Sequence, residues 1–141
     1  MKRIAMIAIL LALVVSGFAE GLSLAFWTMG ESRAQVCRYM AESEMAAPIE
    51  SGENYLVYKS GDTNVRYIFT SSDKLYEVET KIQISSSWDA YVALCSEKVF
   101  GEPLVQSDGL AEWMYKGLVV IMLCSGNTVT VRIGNPSPYG E

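Results

Sequence analysis

Histidine is missing from all 141 residues, and cysteine and proline are scarce, with three and four copies. Without histidine, Ser-His-Asp and Cys-His nucleophilic arrangements cannot be assembled. No Cys-x-x-Cys spacing occurs either, so a zinc site lacks both of its usual donors. The glycines stand singly and form no phosphate-cradling run. Acidic residues are scattered, with no calcium loop of alternating oxygens. These gaps lead us to expect no catalytic residue, no metal and no cofactor. Basic residues are also in deficit, 11 against 16 acidic, for a net charge of −5. Nucleic acid and anionic membrane are poor partners for such a chain, and a basic protein or a cation suits it better.

The chain does have a three-part start. Lys2 and Arg3 precede an apolar run from Ile4 to Val15, and Ser16, Gly17, Phe18 and Ala19 form a small-residue exit. This pattern predicts a secretory signal peptide over residues 1–19, cleaved after Ala19. The apolar run is shorter than the roughly 20 residues of a membrane span. No stable membrane anchor is therefore expected, and the location is periplasmic or secreted. The mature chain is of single-domain length, 20–134, with a flexible Pro-rich tail over 135–141.

Export takes Cys37, Cys95 and Cys124 into an oxidising compartment. One disulfide can form within the chain, and Cys95 with Cys37 or Cys124 is the expected pairing. The remaining cysteine is either buried and inert or pairs between molecules.

Periodicity predicts helix, three strands, helix, three strands. Ser32 is an N-cap candidate before Val36, Tyr39 and Met40 at helical spacing, and the helix should reach about Met45 before Pro48. Leu22 to Trp27 could add a short edge strand ahead of it. A meander comes next at 55–59, 65–70 and 76–84. Its last strand alternates Tyr76, Val78, Thr80, Ile82 and Ile84 with Glu77, Glu79, Lys81 and Gln83. Ser86 or Ser87 opens a second helix through Trp88, Tyr91, Val92, Cys95 and Val99, closed by Gly101 and Pro103. A second meander occupies 112–115, 118–124 and 128–133. Its uninterrupted apolar run, Leu118 to Leu123, predicts a central strand covered on both faces or nearly so.

The two halves echo each other. Pro48-Ile49 leads to Tyr58-Lys59, and Pro103-Leu104 leads to Tyr115-Lys116. The predicted fold is α+β, a two-layer sandwich whose antiparallel sheet is covered on one face by two helices. It is built from two α-β-β-β pseudo-repeats, about 30–84 and 86–134.

Two groups of side chains could carry function. Glu77 and Glu79 share one face of a strand, the minimum for a carboxylate-based hydrolase, although a solvated, solubilising face explains them as well. Tyr58, Tyr67, Trp113 and Tyr115 fall on strands, and if they emerge on the uncovered face they make an aromatic platform suited to protein binding.

Met29-Gly30-Glu31-Ser32-Arg33-Ala34-Gln35-Val36 resembles the helix opening of β-lactamase inhibitory protein-like units and of the small lipoproteins of the outer-membrane barrel-assembly machinery. Pro48 to Tyr58, and Gly101-Glu102-Pro103 leading to Trp113-Met114-Tyr115, resemble the proline loop and aromatic-ended strand that come next in those units. The resemblance implies a non-enzymatic bacterial envelope protein that binds another protein through its sheet. It does not extend to a lipobox cysteine. The expected function is a protein-binding module or inhibitor. The alternatives are a carrier of a small apolar or aromatic ligand and, behind both, the hydrolase.

Overall fold

A computed structural model describes residues 28–42, 47–60 and 63–136. The predicted signal peptide, the edge strand proposed at Leu22 to Trp27, the helix end expected near Met45 and most of the tail lie outside the described residues.

Ser32 caps the first helix as expected, its hydroxyl accepting from the Gln35 amide at 3.2 Å, and α1 runs Arg33–Glu42. Its apolar residues Val36 and Met40 are one turn apart and both buried. The Arg33 guanidinium donates to the Gly52 and Glu53 carbonyls, 2.8 Å each, and lies 5.5 Å over the Phe69 ring. These contacts fix the helix start against the loops of the first meander.

Four strands follow each helix, where three were expected. The first set is β1 Glu50–Ser51, β2 Tyr55–Ser60, β3 Thr63–Phe69 and β4 Leu75–Gln83. The second helix, α2, spans Trp88–Cys95 and continues as a π-helical turn, Ser96–Phe100. The second set is β5 Val105–Ser107, β6 Leu110–Tyr115, β7 Leu118–Ser125 and β8 Thr128–Gly134. The overlooked strands are β1 and β5. They have two and three residues, all exposed, and so show no burial alternation to read.

All eight strands form one antiparallel sheet in the order β1-β2-β3-β4-β8-β7-β6-β5. Short hairpins give the antiparallel pairing within each half. Lys116 at φ 54° and Gly117 at φ 81° supply the positive-φ pair that a two-residue β6–β7 turn needs. The halves meet where β4 pairs with β8.

Alternation then sorts the side chains. Leu56, Tyr58, Val65, Tyr67, Val78, Ile82, Trp113, Val120, Met122, Val131 and Ile133 are buried together with Val36 and Met40 of α1 and with Tyr91, Val92, Cys95 and Phe100 of the second helical segment. The run Leu118 to Leu123 departs from expectation. Leu118, Val120 and Met122 are buried, whereas Val119 and Ile121 are half-buried and Leu123 is exposed. Strand β7 is thus covered on one face only, and β4 and β8 hold the centre.

All three cysteines are free thiols, so the disulfide of Cys95 with Cys37 or Cys124 is not formed in this structure. Burial pushes the Cys95 thiol up to about 12, against a smaller opposite influence from the Tyr91 hydroxyl. A thiol so placed carries almost no thiolate at neutral pH and is a poor nucleophile. Unfolding the protein without reductant should release three thiols to an aromatic disulfide reagent, Cys95 being the slowest to react in the native state. Fewer than three would mean that a disulfide forms after all.

Candidate functional site

The aromatic platform is not there. Tyr58, Tyr67 and Trp113 point into the core, each at 2% exposure or less, and Tyr115 is half-buried against Phe100 at 5.2 Å. Their surroundings are those of packing residues. Tyr58 and Tyr67 meet edge-to-face at 5.8 Å. The Tyr67 hydroxyl reaches the Met40 sulfur at 4.0 Å. The Trp113 indole N–H donates to the Ser96 hydroxyl and the Gly101 carbonyl, at 3.2 and 3.1 Å. Burial, with a hydrogen bond to Cys37, raises the Tyr58 phenol. The alternate residues Lys59, Arg66 and Met114 occupy the other face and are exposed.

That other face can be laid out from the strand register. Glu50, Val57, Arg66, Glu79, Arg132, Ile121, Glu112 and Val105 stand opposite one another in a row that crosses all eight strands. A second row, displaced by one pleat repeat, holds Lys59 and Asn64 and, where the Val65–Thr80 register is carried on by one residue, Lys81, Thr130, Leu123 and Leu110. A third, on the other side, brings Tyr55, Ile68, Glu77, Gly134, Val119 and Met114 together. The face has two characters. From β2 to β8 it is charged, and over β5 to β7 it is largely apolar.

The apolar part includes side chains that alternation on a solvated sheet would make polar. Met114, Val105 and Leu123 are 45, 43 and 38% exposed, with Val119 and Ile121 half-buried between strands. Ile49 and Leu104, at the two edges of the sheet, are more exposed still, 55 and 61%. Exposed apolar groups grouped in this way mark interaction surfaces more often than isolated ones do.

The charged part is ordered. Arg132 Nε meets Glu79 Oε2 at 2.8 Å where the two halves join. The Tyr55 hydroxyl donates to Glu50 at 2.5 Å, and Arg66 stacks 4.9 Å over the Tyr55 ring. Ile49, Glu50, Val57, Arg66, Glu79 and Lys81 line a groove of about 400 Å³ beside them.

Glu77 and Glu79 do share this face, as expected. Glu79 is held by Arg132, and Glu77 is half-buried. Burial raises the Glu77 pKa, Arg132 opposes the shift, and Glu79 adds to it. A carboxyl with a raised folded-state pKa holds its proton more tightly in the folded state, so its contribution to stability is present at low pH and lost as pH rises through the folded value. Glu77→Gln should therefore be at least as stable as wild type near pH 7 and converge with it near pH 3, measured by urea denaturation. A variant less stable at neutral pH would contradict this environment.

Among the described residues, no cluster of three or more His, Cys, Asp or Glu could hold a metal, and no helix is long and apolar enough to cross a membrane. The fold and this face define a mixed α and β chain with an eight-stranded antiparallel sheet and two helices. No protein-family model matches the sequence, and no curated protein matches it. Among solved structures it is similar to YjgB, a DUF4309 family protein from Bacillus subtilis. The two are 10% identical over 79% of this chain and 90% of that one, with a TM-score of 0.42.

Proposed function

We propose that this chain is an exported, non-enzymatic protein-binding module, periplasmic or secreted, that engages its partner through the open face of the sheet. The observation that carries the reading is the exposed apolar strip of Val105, Met114 and Leu123 beside an ordered charged half. The strip is apolar apart from Glu112, which stands between Val105 and Ile121, and apolar area bordered by polar groups is a common composition of a protein interface. With Tyr58, Tyr67 and Trp113 spent on the core, this face is the surface most suited to a partner.

The scaffold itself is a two-layer sandwich made of two copies of a helix and four strands, about 30–84 and 86–134. Equivalent hydrogen bonds at one constant shift along the chain support the duplication. Ser32 caps the Gln35 amide as Ser87 caps the Ala90 amide. The Ile49 amide reaches the Val57 carbonyl as the Leu104 amide reaches that of Glu112. The Phe69 amide reaches the Asn54 carbonyl as the Cys124 amide reaches that of Gly109. On this alignment Tyr58 matches Trp113, and the repeated Tyr-Lys pair is two residues out of step.

The test is to retrieve a stoichiometric protein partner from the organism's envelope or medium, with the purified protein as bait. Retrieval should be lost when the open face is altered and kept when exposed helix residues are altered. A partner unaffected by changes on the open face would overturn the reading, and a small apolar ligand co-purifying in its place would favour the carrier.

A further inference from the structure

We infer that the partner presents an anionic, acidic segment to the β2–β4 end of the open face, followed by an apolar side chain about 10 Å further on, over β7. The inference rests on the open-face reading and names the partner's chemistry.

Three cations surround Asn64. Lys59 lies across from it on β2, Lys81 follows on β4 the Thr80 that pairs with Val65, and Arg66 is one pleat repeat along β3. All four side chains are exposed. No carboxylate among the described residues pairs with the cations. Glu79, directly opposite Arg66, turns its carboxylate to Arg132 at 2.8 Å. Glu50 accepts from the Tyr55 hydroxyl. Glu77 stands two pleat repeats from Lys81 on the same strand, although it is the diagonal neighbour of Arg66, and Glu112 lies on β6, four strands from Arg66. At about 4.8 Å per strand that last separation is about 19 Å, beyond a Debye length at physiological salt. Among the described residues, Lys59 and Lys81 thus keep positive charge that no carboxylate pairs, on one part of one face of an acidic protein.

The row through Lys59, Asn64 and Lys81 continues across Thr130 into Leu123 and Leu110. Lys81 and Leu123 are two strands apart, about 10 Å. A ligand lying along this row would meet positive charge first and apolar surface next. Glu112 sets the direction, since it disfavours an anionic group over β6. A protein segment fits better than an anionic membrane, because the net charge of −5 opposes approach to a membrane while a single segment meets only the local cations. The net charge favours a basic partner, and this end of the face reverses that expectation because Lys59 and Lys81 stand on it without a paired carboxylate among the described residues, while Glu79 is taken by Arg132.

The probe is a fluorescein-labelled octapeptide with two glutamates at one end and two leucines at the other, beside the same peptide with lysines for glutamates. Fluorescence anisotropy with the purified protein at low salt reads affinity. The glutamate peptide should bind at least about tenfold more tightly than the lysine peptide and weaken as salt rises. Lys59→Glu with Lys81→Glu should weaken it by at least about tenfold, and the milder Lys59→Gln with Lys81→Gln by less. Unchanged thermal midpoints would show both variants folded. Equal affinity for the two peptides, no binding of the glutamate peptide at millimolar concentration, or indifference to the lysine substitutions would overturn the inference. If Leu123→Gln weakens the glutamate peptide while the lysine variants do not, the anionic assignment falls and the open-face reading stands. If none of the substitutions matters, both fall.

Discussion

Trp113→Ala should cost about 3–5 kcal/mol of folding stability, read as a loss in the free energy of urea unfolding. The ring is fully buried and packs 5.1 Å from Phe100. Its removal leaves a cavity between β6 and the π-helical turn. The indole also holds that turn's exit, by donating to the Gly101 carbonyl, and Gly101 sits at φ 79° and ψ −159°, a conformation that suits glycine alone. Truncation therefore removes packing and a backbone anchor together. Trp113→Phe keeps most of the volume and loses the two N–H contacts, and should cost only about 1–2 kcal/mol. In a domain whose whole stability is about 5–15 kcal/mol, the alanine variant would be marginal. A loss under about 1 kcal/mol would contradict this placement of the ring.

The second large effect is on binding. Met114→Gln with Leu123→Gln should weaken the partner complex by at least about thirtyfold, the equivalent of losing one central hot spot. Folding should be almost untouched, because both side chains already face solvent and surface changes usually fall within about 0.5 kcal/mol. Isothermal titration with the retrieved partner measures the first quantity, and urea unfolding the second. The two readouts must separate. If the variant binds normally, the apolar strip is not the contact surface. If it fails to fold, the strip belongs to the core.

Much of the fold was legible because its signals are local. Ser32 and Ser87 announce the helices they cap. Val78, Thr80 and Ile82 alternate with Glu77, Glu79 and Lys81, and this registers β4 at sight. The strands β1 and β5 carry no such signal, because an exposed two- or three-residue edge is defined only by its partner. The site was harder to read, since alternation divides a strand into two faces without saying which one the helices take. Tyr58 and Tyr67 alternate with Lys59 and Arg66, and Trp113 with Glu112 and Met114. The charged neighbours were the available clue. They identify the wet face and so send the aromatics to the core. The apolar strip has its own signature in Leu118 to Leu123. An unbroken apolar run suggests burial on both sides, yet Ile121 and Leu123 face outward. Such a run is the surface we propose for a partner.

The most direct test is an amide and methyl NMR footprint of the partner on the folded protein. Cross-saturation should fall on Leu110, Met114, Val119, Ile121 and Leu123, with amide shifts on the open side of β3, β4 and β8. Buried methyls of Val36, Val120 and Val131 should stay silent. A footprint centred on α1 or α2, or on the backbone edges at β1 and β5, would contradict the claim that this protein works through its open sheet face.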